Sequence, residues 1–101
     1  MRSYRLSKSA QNDIDAIWDR FAEDGGVNSA EKFLWRLYDL FAMLSPNPLM
    51  GQVSRLVTTG VRKFPLDNYL IYYVAQDKRV LIARILHGKR RQRKAFRESG
   101  R

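Results

Sequence analysis

Cysteine is absent from this 101-residue chain, and histidine occurs only once, at His87. The first absence excludes disulfides and thiolate metal sites, which suits a reducing compartment. The second leaves too few ligands for a structural zinc site, so neither metal nor cofactor is expected. No apolar run approaches the roughly 20 residues that a membrane span needs. The opening "MRSYRLSKSA" lacks the apolar stretch of a secretory signal. The expectation is a cytoplasmic protein with no membrane partner. At this length one domain is expected over residues 1–101, burying roughly two-thirds of its unfolded surface.

Acidic residues are scarce where basic ones gather. Residues 1–50 carry six Lys/Arg against seven Asp/Glu, whereas residues 51–101 carry thirteen against three. The second half therefore carries +10 and the first −1, for the net charge of +9. Such a half suits an anionic partner: nucleic acid, an acidic protein or a membrane surface. A soluble chain with a solvated basic tail is the bland alternative.

Tyr4 to Leu6 suits a short strand, and Ser7 offers a helix N-cap. Ala10, Ile14, Ile17, Trp18 and Phe21 then mark one helix face, with Asp13, Asp15, Asp19 and Arg20 on the other. "EDGG" reads as a stop, and Asn28 with Glu31 as a capping box for a second helix. That helix carries Ala30, Phe33, Leu34, Leu37, Tyr38, Phe41 and Leu44, and Pro46 and Pro48 end it. Trp35 stands off its main stripe. Beyond residue 50, "LVTTGVRKFPL", "NYLIYYVAQ" and "RVLIARILH" are rich in β-branched and aromatic residues. The turn-like "DN" at 67–68 and "QDK" at 76–78 separate them. The fold expected is α+β: an N-terminal strand and an antiparallel helix hairpin packed on a small antiparallel sheet (β-α-α-β-β-β). Lys89 to Glu98 is a candidate short basic helix.

Arg84 interrupts the last apolar strand. Simple alternation puts it on one face with Val80, Ile82 and Leu86, and puts Leu81, Ala83, Ile85 and His87 on the other. A guanidinium in that setting needs a counter-charge, such as Asp67 or Asp77, or else a partner or nucleic acid to contact. Arg62 lies on an earlier strand, and Lys89, Arg90, Arg91 and Arg93 form a dense run after Gly88.

"YRLSKSAQNDIDAIW", "NPLMGQ", "GVRKFPLDNYLIYYV" and "VLIARILHGKR", taken in order over residues 3 to 91, resemble the ParE branch of the RelE/ParE toxin superfamily. The resemblance implies the toxin half of a type II toxin–antitoxin pair, as in plasmid stabilisation. It also implies a small sheet wrapped by a helix hairpin, and a hetero-oligomer with a ParD-like antitoxin. RelE-like members cut messenger RNA on the ribosome, whereas ParE-like members act on DNA gyrase. RNA cleavage needs a proton acceptor, a proton donor and cations around the phosphorane. Arg62 and Arg84 match strand arginines of RelE-like enzymes, but the C-terminal tyrosine of that pattern is missing. After Tyr73 no tyrosine occurs, and only His87 has a suitable ordinary pKa.

The expectation is thus a gyrase inhibitor with no catalytic residue. Ribosome-dependent RNA cleavage by Arg62, Arg84 and His87 is the alternative, and a plain nucleic-acid-binding module is a third. Candidate target or nucleic-acid contacts are Arg62, Arg84, His87, Lys89, Arg90, Arg91 and Arg93. Candidate antitoxin contacts are Trp35, Tyr38 and Arg84. "NPLMG" at 47–51 reads as a tight loop without chemistry.

Overall fold

A computed structural model describes residues 4–54, 60–76 and 79–88. In chain order the elements are β1 (Tyr4–Leu6), α1 (Lys8–Leu44), β2 (Gln52–Val53), β3 (Val61–Leu66), β4 (Tyr69–Gln76) and β5 (Arg79–His87). The fold is α+β. The basic run Lys89, Arg90, Arg91 and Arg93, with its candidate helix, lies outside the described residues.

Ser7 links strand to helix. Its extended backbone (φ −68°, ψ 163°) is that of an N-cap, and its Oγ accepts from the Ala10 N–H at 2.9 Å. The same hydroxyl donates to the Ala83 carbonyl at 2.7 Å, and the Ser7 N–H donates to that of Ile82 at 3.0 Å. One residue therefore starts the helix and fastens it to β5.

The two helices expected are one helical element with a single break. Gly26 alone leaves helical geometry, at φ 86°, ψ 173°. That region is open to glycine and to hardly any other residue. Asn28 and Glu31 therefore lie within the helical run, where a separate cap was expected. A straight helix of 37 residues would extend about 55 Å and hold Phe21 and Phe33 about 18 Å apart. Instead their rings stack at 4.6 Å, and the longest dimension of the molecule is 37 Å. The chain doubles back at Gly26 because one residue absorbs the reversal, so no intervening loop is needed.

The sheet runs β1-β5-β4-β3-β2. It is mixed, where an antiparallel sheet was expected: β1 pairs with β5 in parallel, Tyr4 to Val80 through Leu6 to Ile82. Parallel neighbours need a long crossover, and α1 begins it directly from Ser7. Sequence patterning also missed β2, which pairs antiparallel with β3 through Gln52–Lys63 and Val53–Arg62. Two residues are too few for an alternation to show.

Both arms of α1 cover one face of the sheet. Ala10, Ile14 and Ile17 come from the first arm and Phe33, Leu37, Phe41 and Leu44 from the second. They meet Tyr69, Ile71 and Tyr73 of β4 and Val80, Ile82 and Ile85 of β5. Simple alternation fails within β5. Tyr72 pairs with Arg84 and Tyr73 with Ile82, which leaves Ala83 as a bulge. The extra residue reverses the phase, so Ile85 follows Ile82 into the core. Arg84 shares the face of Tyr72.

Candidate functional site

The charged and apolar candidates fall into separate environments. At the β5 edge away from β4, β1 ends opposite Ile82, and among the described residues no strand flanks the rest of β5 on that side. Asp13 takes over. Its Oδ2 accepts from the Ile85 N–H at 2.9 Å and from Arg84 Nε at 2.8 Å, and its Oδ1 accepts from Arg84 Nη2 at 3.1 Å. Both side chains are about one-sixth exposed or less, at 16% and 14%. The counter-charge of Arg84 is thus Asp13, whereas Asp67 belongs to Arg36 and Asp77 lies outside the described residues. Sequence patterning had put Asp13 on the outer helix face. It could not show that this helix would cross a strand edge in need of an acceptor.

Arg62 sits on β3 opposite Tyr73. Its Nη1 donates to the Gly51 carbonyl at 2.7 Å. The buried Tyr73 hydroxyl donates to the Pro48 carbonyl at 2.9 Å and accepts from the Gly51 N–H at 2.8 Å. Two β3 and β4 side chains thereby hold the loop after α1, a role that patterning assigned to neither. Burial pushes the Tyr73 phenol above its ordinary pKa, and it pushes that of Tyr72 up to about 12.

Tyr72 and Tyr73 are neighbours on β4, so their partners Arg84 and Arg62 leave opposite faces of the sheet. The two guanidiniums do not converge on one phosphate. His87 lies at the far end of β5, exposed, with its ring edge-on to Tyr69 at 5.0 Å. Among the described residues no group of three or more His, Asp or Glu stands ready for a metal.

Trp35 is 68% exposed on the second arm of α1. Nearby Tyr38 is half-buried, edge-on to Phe41 at 5.5 Å. Leu49, Met50 and Val53 are also exposed, at 71%, 44% and 57%. No described helix is long and apolar enough to cross a membrane. Arg36 and Asp67 form an exposed bidentate pair at 2.7 and 3.0 Å, which draws the Asp67 carboxyl below its ordinary pKa.

The doubled-back helix on a five-stranded mixed sheet has a counterpart among solved structures. A chain from the chromosomal ParDE toxin–antitoxin system of P. aeruginosa superposes with a TM-score of 0.74, covering 88% of this chain and 98% of that one at 23% identity. The family model for the ParE toxin of type II toxin–antitoxin systems, parDE, matches residues 4–92. Toxin ParE1 of Caulobacter vibrioides is 32% identical over 87 residues, covering 86% of this chain and 90% of that protein. Toxin ParE1 of Mycobacterium tuberculosis is 29% identical over 85 residues, covering 83% and 87%. The chain belongs to the ParE toxin family of type II toxin–antitoxin systems.

Proposed function

We propose that this toxin, when free of a ParD-like antitoxin, inhibits DNA gyrase by binding, and so blocks replication in the cytoplasm. The carrying observation is that Arg62 and Arg84 leave opposite faces of the sheet, each engaged with the protein itself. A phosphate-cleaving site needs its cations around a single developing charge. That arrangement favours inhibition by contact over RNA cleavage. The basic run Lys89, Arg90, Arg91 and Arg93, with His87 just before it, supplies positive charge for gyrase and its bound DNA. Trp35 offers the kind of exposed aromatic that anchors a peptide partner, and the antitoxin covers it in the complex.

Purified toxin tests the reading. Gyrase supercoiling should be inhibited or cleaved DNA complexes should persist, while messenger RNA on translating ribosomes stays intact. Ribosome-dependent cleavage that disappears in His87→Ala would overturn the reading in favour of a RelE-like nuclease. Co-purified antitoxin should raise the melting temperature of the toxin, by an amount that grows with the logarithm of its excess over Kd.

A further inference from the structure

The loop between α1 and β2 is rigid where it touches the sheet and apolar where it meets solvent. Asn47 closes the helix end through Leu44, and Met50 N–H donates back to the Asn47 carbonyl at 3.1 Å. Tyr73 then grips the loop at Pro48 and Gly51, and Arg62 grips Gly51 again. Gly51 lies so close to the sheet that a Cβ there would come within 2.6 Å of both the Lys63 carbonyl and the Tyr73 hydroxyl. Between these anchors Leu49 and Met50 are exposed, and so is Val53 on β2, an edge strand of the sheet.

We infer that Leu49 and Met50 form a preorganised knob that docks into an apolar socket on an acidic polypeptide segment of the antitoxin. This rests on the reading of the chain as an antitoxin-bound toxin. A loop whose backbone is already held has no loop-ordering cost left to meet on binding, and only the Leu49 and Met50 rotamers remain to be fixed. Nucleic acid takes Leu and Met only as wedges between base steps, at an unstacking cost of about a few kcal/mol per step. A second copy of this chain carries the same charge of +9, so like charges oppose its approach. Beside the knob, Arg62 and Lys63 pair with β2, and the sequence from residue 51 onward is strongly basic. The complementary partner therefore combines apolar side chains with carboxylates. Tyr73 and Arg62 are positioning residues, because they act through the loop backbone.

The experiment titrates the full chain with its cognate ParD-like antitoxin, obtained by co-expression. Leu49→Ser with Met50→Ser should weaken binding about 100-fold while leaving the melting temperature unchanged. Tyr73→Phe should weaken binding about tenfold in the native background and add nothing in the double variant. A purely structural tyrosine would lower affinity equally in both. Unchanged affinity of the double variant overturns the knob and leaves the toxin reading standing. A native chain that binds no antitoxin overturns both. Loss of self-association in the double variant, with antitoxin binding intact, assigns the knob to a second copy and overturns the inference.

Discussion

Replacing Asp13 with alanine should destabilise the fold far more than an isolated surface ion pair could explain. The carboxylate accepts three hydrogen bonds, two from Arg84 and one from the Ile85 N–H, in a site where both side chains are mostly shielded from water. Removing one member of a fully buried pair costs about 3–5 kcal/mol, because the other charge is left uncompensated. Partial exposure of Arg84 brings this toward the lower end, and the orphaned Ile85 N–H adds to it, for about 3 kcal/mol in all. At about 4–8 °C per kcal/mol for a domain of this size, the melting temperature should fall by about 15 °C. Circular dichroism during heating and urea titration measures both quantities.

Asp13→Asn separates the contributions. It keeps an acceptor for Ile85 and loses the charge, so its effect should be intermediate. Arg36→Ala is the control. It removes a pair of similar bidentate geometry whose members are about half exposed, at 53% and 48%, and it should scarcely move the transition. A change of less than about 3 °C in Asp13→Ala, or one equal to that of Arg36→Ala, would refute the claim that the helix closes the strand edge.

Gly51→Ala should cost about 1–3 kcal/mol in urea unfolding, because the added methyl meets the Lys63 carbonyl and the Tyr73 hydroxyl at 2.6 Å. Alkaline stability should follow the buried phenols. Tyr72, with its pKa pushed to about 12 from an ordinary 10, holds its proton when the unfolded chain has lost it. Between those values the unfolded state binds fewer protons, so stability falls as pH rises, and Tyr72→Phe should flatten that decline in pH-dependent melting. Trp35→Ala should leave the melting temperature within the effect of about 0.5 kcal/mol usual for exposed positions, yet weaken antitoxin binding measured by calorimetry.

Local chemistry was enough for the elements that local chemistry controls. Ser7 could be read as a cap because its hydroxyl needs only the N–H three residues on. The apolar stripe of α1 and the runs of β4 and β5 showed because helix and strand periodicities place their burial regularly along the chain. The family was legible too, since its motifs occur in order over most of the length. Tertiary structure alone decided the rest. A bulge at Ala83 turned Ile85 inward and separated the face of Arg84 from that of Arg62, and no periodicity announces an extra residue. Asp13 looked like one more solvated carboxylate until the helix lay across the edge of β5 beyond the end of β1. Leu49 and Met50 gained meaning only when Tyr73, more than twenty residues away in sequence, fixed the backbone beneath them. Hydrogen bonds between distant segments depend on where the folded chain brings their donors and acceptors, and residue spacing along the sequence carries no record of that.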